Sequence, residues 1–421
     1  MEPTASGEPG NPFQALLGDL MKMMGTSAPD HWEMTRSFAV NVATGGEAES
    51  NIEPVARIRL EELARVAELH VIEAIGMPIS SDGRRLTCVP IGRGGWAARA
   101  LDSWRPFLEA MAPRTPPAPD LPDGGPGAGG LFDDGGDDGL GGLGGMLGQW
   151  AQLIGPMFFG LQVGSVVGHL SHRALGQYAL ALPWIPSDEL LIVTGNVDLF
   201  AADWSIPEDE AVLWVCAREL ASHAVLSRPA VRERVAELLT AMATSAAAAQ
   251  QGIAERLGGL GDPLGGGTGL EAIQGMFGDP EALLGELLTP EARRSSDRLT
   301  AVAVVVDAYA DHVADRVGQR LVGSHALLAE AWYRRRIERG KGEEAAGALF
   351  GLDLEQAQVD RGRAFIAGVV ERAGEDSLAR LWSSGSSLPT PAEVDAPGLW
   401  LERISLFELD PPDPEGTPPE A

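Results

Sequence analysis

Cysteine and basic residues are scarce in this chain. Only 2 of its 421 residues are cysteines, Cys88 and Cys216, which excludes a disulfide framework and makes a reducing, cytoplasmic compartment the expectation. Lysine and arginine number 32 against 60 aspartate and glutamate residues, so the formal net charge is −28. Without a net positive field, the chain is expected to bind neither nucleic acid nor an anionic membrane surface. The first residues also lack the basic and apolar segments of a secretory signal.

A membrane-spanning run is lacking as well. Residues 139–172 contain no aspartate, glutamate, lysine or arginine, but glycine, proline and glutamine interrupt the apolar residues. The continuous apolar part is too short to cross a bilayer, which takes about 20 residues. Gly160, Gly164 and Gly168 follow one another at intervals of four, the spacing that lets two helices approach closely. We therefore expect a buried soluble helix with a close-packed glycine face.

Glycine and proline mark the predicted boundaries, because 53 glycines and 30 prolines are concentrated in a few segments. Apolar residues at helical spacing predict a mainly α protein with little sheet, and Leu190–Val197 is the best strand candidate. The predicted organisation is a disordered N-terminus (1–12), a small helical N-terminal unit (13–111), a Pro/Gly/Asp-rich linker (112–145), a larger helical domain (146–405) with a Gly-rich insertion (257–280), and a disordered acidic tail (406–421).

One predicted helix carries polar residues inside an apolar sequence, within the segment ARELASH. A zinc peptidase helix reads His-Glu-x-x-His, because histidines four residues apart point both imidazoles at one ion and the glutamate activates the zinc-bound water. Glu219 is present here, whereas Arg218 and Ser222 occupy the histidine positions. His223 comes one residue late and is rotated by about 100° from that face. By itself, ARELASH is therefore poor evidence for a metal site.

Several segments in fixed order carry a wider resemblance. They include NPFQALLGDLMKMMG, WAARALDSWRPFLEAMAP, GLQVGSVVGHLSHRALGQYALALP, NVDLFAADWSIPEDEAVLWVCARELASH, DAYADHVADRVG, LAEAWYRRR and LFGLDLEQAQVDRGRAFIAGVVERAGEDSLARLW. In these segments and their order, the chain resembles the zincin-like metallopeptidase family of actinobacteria from about Pro12 to Ile404. The resemblance implies a helical zincin-like scaffold, a zinc cofactor and hydrolase activity on peptides.

The same resemblance implies a degenerate site in this member. The catalytic general base would be Glu219, and the three metal-ligand positions would fall on Arg218, Ser222 and Asp307. Of these three, only Asp307 offers a carboxylate, whereas catalytic zinc normally takes three protein ligands. Zinc is therefore expected to be absent or weakly bound.

Two interpretations remain open at this stage. In one, His223 or the pair His169 and His172 supplies replacement ligands, and the chain is an enzyme with a displaced metal site. In the other, the chain is a pseudoenzyme that binds an unidentified protein or peptide. We favour the second, with the Arg218 guanidinium lying between Glu219 and Asp307 in place of a metal, because its forked donors can hold two carboxylates.

The clearest basic cluster is Arg334-Arg335-Arg336. Such a run is most often a solvated helix face, paired with acidic residues one turn away such as Glu330. The sequence therefore favours a solvated face for these three arginines over a site for an acidic partner or nucleic acid.

Overall fold

The computed structural model describes residues 31–49, 51–80, 83–112, 157, 159–259 and 289–409. Its elements run in the order α1 (His31–Thr44), α2 (Pro54–Ile75), β1 (Thr87–Pro90), α3 (Arg93–Met111), α4 (159–171), β2 (Glu189–Ile192), α5 (Thr194–Asp203), α6 (Glu208–Leu226), α7 (Pro229–Gly259), α8 (Pro290–Leu321), α9 (His325–Ile337), α10 (Lys341–Phe350), α11 (Gln356–Ala373), the 3-10 segments Glu375–Trp382 and Gly385–Ser387, α12 (Pro391–Asp395) and α13 (Pro397–Leu409). The prediction of a mainly α protein with little sheet is confirmed.

Helix α6 lies at the centre of the fold. It packs against α8 on one side and α2 on another, and α5 and β2 also contact it. Every residue from Leu213 to Leu226 is buried, so this helix has no solvent face over its second half. A helix that is surrounded in this way is expected to be apolar all round, and any polar side chain on it needs a partner. The polar residues of ARELASH are therefore the exceptions that need explanation.

The sheet consists of two short parallel strands from distant parts of the chain. In its register Thr87 pairs with Glu189 and Pro90 with Ile192. Helix α2 of the predicted N-terminal unit also packs directly on α6 of the predicted larger domain. Apolar residues from both segments belong to one continuous core.

The predicted strand Leu190–Val197 is wrong in its second half. The strand ends at Ile192, and α5 begins at Thr194. The side-chain amide of Asn196 donates hydrogen bonds to the carbonyl oxygens of Ser171 and Ala174, at 2.8 and 2.6 Å. These two hydrogen bonds to distant residues stabilise the start of α5, although the β-branched residues of the segment favour a strand.

Several other sequence expectations have definite outcomes. The sequence did not predict β1, α10, α12 or α13, and α13 extends past residue 406 to Leu409. The segments 1–12 and 113–145 lie outside the described residues, as do residues 13–30 of the predicted N-terminal unit and most of the segments 257–280 and 406–421. Along the described ranges, none of the helices has the combination of length and hydrophobicity that a bilayer-spanning segment needs.

The glycine face of α4 is confirmed. A Cβ atom on Gly164 would lie 2.8 Å from the carbonyl oxygen of Thr35. On Gly168 it would lie 2.8 Å from the carbonyl oxygen of Ala39 and 2.7 Å from the Val42 Cβ. Because these neighbours are partly backbone, a side chain can be accommodated only if α1 and α4 move apart.

Gly168→Ala is therefore expected to lower the free energy of unfolding by about 1–2 kcal/mol, because overpacking outweighs the gain in helix propensity. The matched control is Gly195→Ala in α5, where an added Cβ meets no atom within 4 Å. That control should leave stability unchanged or raise it slightly. Urea unfolding of both variants checks the pair, and equal stabilities would contradict the close packing of α1 on α4.

Candidate functional site

The Arg218 guanidinium lies between three buried carboxylates. Its Nη2 donates a hydrogen bond to Asp307 Oδ1 at 2.7 Å, and its Nε donates to Asp311 Oδ1 at 3.0 Å. Its Nη1 lies 3.4 Å from Glu219 Oε1. Asp307 and Asp311 stand one turn apart on α8, so both carboxylates face α6. Arg218 therefore lies between Glu219 and Asp307, as the sequence analysis favoured.

A second guanidinium closes the arrangement from α9. Arg336 donates from Nη2 to Asp307 Oδ2 at 3.0 Å and from Nη1 to Asp311 Oδ2 at 2.9 Å. Two arginines and two aspartates thus alternate in a ring, which we call the arginine–aspartate cluster (Arg218, Asp307, Arg336, Asp311). Each aspartate oxygen in it accepts from one arginine. Charge-assisted pairs of this kind are the stronger protein hydrogen bonds.

Aromatic and basic neighbours contact the cluster from outside. The Trp332 ring lies 4.6 Å from the Arg218 guanidinium carbon, and its indole nitrogen donates to Asp311 Oδ1 at 2.9 Å. Arg363 on α11 approaches Asp311 Oδ2 at 3.6 Å. Three arginines therefore face three carboxylates, counting Glu219. Charges taken out of water are tolerated only with such compensation.

The pKa directions follow from this arrangement. Burial opposes ionisation of Asp311, but Arg336, Arg218 and Arg363 outweigh it and hold the pKa of this carboxyl below its ordinary value. Burial likewise lowers the pKa of Arg218, and the attraction of Asp311, Asp307 and Glu219 more than offsets it, so the net pKa is raised. Asp311 and Arg218 therefore both stay ionised at neutral pH.

Glu219 is held between the cluster and a loop before β2. Its Oε2 accepts a hydrogen bond from the backbone N–H of Tyr178 at 2.7 Å. The loop lies so close that a Cβ on Gly176 would come within 2.5 Å of the Glu219 Cδ. Burial raises the pKa of Glu219 to about 7, while Arg218 and the Tyr178 N–H partly oppose the shift. This carboxyl is thus the group of the site that titrates near neutrality.

The two residues that follow in the motif do not complete a metal site. Ser222, where the family resemblance implies a histidine, is buried. His223 is buried too, but its Nδ1 lies 3.0 Å from the Tyr178 hydroxyl, outside the cluster. The rotation expected between positions 222 and 223 is what separates them.

The other two candidate histidines lie at the surface, on and just after α4. His169 Nδ1 lies 2.8 Å from the carbonyl oxygen of Ser165, and His172 Nε2 lies 3.2 Å from that of Val42. Their ring centroids are 6.4 Å apart. Over the ranges that the structure describes, no three histidine, cysteine, aspartate or glutamate side chains are placed to hold a metal ion.

The residues at the motif positions do not fit zinc. A catalytic zinc site needs three protein ligands and room for a water, whereas a permanently charged guanidinium fills the space between Glu219 and Asp307. A dication would meet the positive charges of Arg218 and Arg336 at close range. The donor set present is that of a salt-bridge cluster.

Two cluster members, Asp311 and Arg336, were missed by the sequence analysis. The prediction that Arg334, Arg335 and Arg336 form one solvated face holds only for Arg334, which donates to Glu330 at 2.6 Å. The Arg336 side chain is 13% exposed and points into the cluster. The available signal was the pair of aspartates one turn apart within AVAVVVDAYADHVAD, since two buried carboxylates demand more than one cation.

A cleft opens beside the cluster. It has a volume of about 720 Å³ and is lined by residues of α6, α8, α9 and α11. Asp311 of the cluster lines the cleft, and so do its neighbours Arg363 and Trp332. Trp214 adds a second indole to its wall, with the two tryptophan rings 5.5 Å apart. The volume falls within the range of about 300–1,000 Å³ that is typical of ligand pockets.

Comparison with known proteins gives three findings. Residues 31–401 match a family described as zincin-like metallopeptidase. A solved structure, that of a candidate hydrolase with a novel fold from Chloroflexus aurantiacus, is similar with a TM-score of 0.59 and 21% sequence identity, covering 89% of this chain and 98% of that one. At this identity the likeness concerns the fold. Among curated proteins, no sequence is significantly similar to this chain.

Proposed function

The chain belongs to the zincin-like metallopeptidase family, and we propose that it is a non-catalytic member in which a guanidinium takes the place of zinc. The observation that carries the proposal is the contact of Arg218 with both Glu219 and Asp307. These are the positions of the general base and of a metal ligand in the resemblance drawn above. Arg218 is a fixed cation, so it can organise carboxylates but cannot activate water as a Lewis acid.

The proposed role of the chain is to bind a protein or peptide partner on this scaffold. Support comes from the cleft beside the cluster, which combines indole rings with charged groups. Such clefts bind ligands without a reaction, because apolar walls supply contact area and a few polar groups fix orientation. The cluster then serves to hold α6, α8 and α9 together and so to keep the cleft formed.

The rival proposal is a hydrolase with a displaced metal site. His169 and His172 are the residues in its favour, since they stand three positions apart and their rings are neighbours. It requires a further ligand from a segment outside the described ranges. Metal content separates the two proposals before any activity is sought.

We expect protein purified without a histidine tag or chelator to contain no stoichiometric zinc by mass spectrometry. The double variant Arg218→His with Ser222→His, refolded with zinc, should take up about one zinc per chain, because it recreates imidazoles at i and i+4 facing Asp307. Arg218→His alone, with a single imidazole, is the matched control and should take up none.

Stoichiometric zinc in the natural protein would refute the proposal, and Glu219→Gln peptidase assays would then follow. A folded double variant that binds no zinc would refute the assignment of these positions to the family's ligands. Circular dichroism of each variant establishes that it is folded. Because Arg336 still projects into the site, adding Arg336→Met to the double variant is expected to tighten zinc binding further.

A further inference from the structure

Helix α2 exposes a row of apolar side chains on its outer side. Val55 and Leu69 are 71% and 70% exposed, and Ile58, Val66 and Ile72 are exposed as well. The opposite side of the same helix is buried in the core through Leu60, Ala64, Ala67, Val71 and Ile75. No described residue covers the outer row. An apolar stripe of this extent on one helix is typical of an interaction surface.

Four residues of this row, all except Val66, fall at coiled-coil spacing together with two charged residues between them. Positions separated alternately by three and four residues form a single stripe along a helix. We call the following residues the outer seam: Val55, Ile58, Glu62, Arg65, Leu69 and Ile72. The seam lies almost opposite the buried face, so a second helix can approach it directly. With 22 residues, α2 is about 33 Å long and offers three heptads.

Two copies of the outer seam that run in opposite directions match each other residue by residue. If two copies of α2 lie antiparallel, with a two-fold axis between Leu63 and Ala64, Val55 meets Ile72 of the second copy. Ile58 then meets Leu69, and Glu62 meets Arg65. Every pair is apolar with apolar or acid with base. A parallel arrangement would instead place Glu62 against Glu62 and Arg65 against Arg65.

The two central charges are available for this pairing. Glu62 and Arg65 are both exposed, and in the described parts of the chain neither has an ion-pair partner. Nearby Arg59, by contrast, is already paired with Glu208 and Asp209 of its own chain. The central charges of the seam lack partners among the described residues, and the symmetric pattern supplies a partner for each of them, which fits a second copy of the same helix.

We propose that α2 is the interface of a homodimer, paired antiparallel across a two-fold axis through the outer seam. Glu61 and Glu68 flank the seam on one edge, and their repulsion limits the affinity. The overall charge of −28 acts mainly beyond the Debye length of about 8 Å at physiological ionic strength and is largely screened there. The proposed dimer does not depend on the function proposed for the arginine–aspartate cluster.

Sedimentation equilibrium of the full chain, from about 1 µM to about 0.5 mM, tests the proposal. The expected mass rises with concentration from 44.3 kDa to twice that value. Leu69→Glu should raise the dissociation constant about a hundredfold or more, because it places charges in the apolar seam. Leu406→Glu on α13 is the matched control, since that leucine is 64% exposed, and it should leave the dissociation constant unchanged.

Charge reversal identifies the occupant of the seam. Glu62→Arg alone or Arg65→Glu alone should weaken the dimer about tenfold to a hundredfold, because like charges then face each other twice. The double variant should restore it, since both pairs are re-formed in reversed order. A different protein, or another segment of this chain, lying on the seam would not be recovered by the double reversal.

A chain that stays monomeric at every concentration would overturn the proposal. So would a dimer that Leu69→Glu leaves intact, or a double reversal that fails to recover the dimer. All of these positions are exposed, so the variants are expected to fold, and circular dichroism checks this before sedimentation.

Discussion

Replacing Arg218 by methionine is expected to lower the free energy of unfolding by about 3–5 kcal/mol. The side chain is 5% exposed, and its loss leaves Glu219, Asp307 and Asp311 buried with fewer counter-charges. The cost therefore comes mainly from carboxylates that are stranded in the core. Urea unfolding at neutral pH, with the slope checked for constancy, measures it.

Arg334→Met is the matched control for this prediction. Arg334 is on the exposed side of α9, and its ion pair with Glu330 is between side chains that are 58% and 50% exposed. Exposed pairs contribute about 0–1 kcal/mol, so the control should unfold almost like the natural protein. Arg218→Lys should fall between the two, because an ammonium group keeps the charge but cannot fork between carboxylates. Equal costs for Arg218→Met and Arg334→Met would contradict the cluster as described.

The stability of the protein is expected to fall as pH rises from about 5 to 8 through the titration of Glu219. Its folded-state pKa is about 7, above the ordinary value of 4.5. Between these values the folded chain keeps a proton that the unfolded chain has lost, so the contribution is complete below the unfolded pKa and is lost as pH rises through the folded one. The shift corresponds to about 3 kcal/mol.

Glu219→Gln removes this titration. Its free energy of unfolding, relative to that of the natural protein, should therefore rise by about 2–3 kcal/mol between pH 5 and pH 8. Asp311→Asn is the control: arginines hold the pKa of Asp311 below its ordinary value, so that carboxyl is ionised in both states over this range. Its cost should be large but constant with pH. A Glu219→Gln difference that does not change with pH would disprove the raised pKa.

Part of this site could be read from the sequence because it depends on residue identity. Arginine and serine replace imidazoles at the motif positions, and that substitution is visible without a structure. The position of Arg218 between Glu219 and Asp307 also followed, since a buried arginine needs carboxylates and Asp307 is expected nearby from the family resemblance. The contribution of Asp311 and Arg336 to the site could not be predicted in this way. Arg336 belongs to a run of arginines, and local spacing cannot tell which of them turns inward.

The helical class and most helix positions were determined by the sequence itself, because apolar residues at helical spacing bury one face whatever their partners are. The pairing of β1 with β2 was decided only by the tertiary structure, since these strands lie about a hundred residues apart. The end of the strand at Ile192 was also decided there, because the Asn196 side chain donates hydrogen bonds to the carbonyl oxygens of Ser171 and Ala174. The contact of Arg336 with Asp307 and Asp311 was likewise decided by the tertiary structure. In each case the deciding contact joins residues far apart in the chain, and its energy exists only once the core has brought them together.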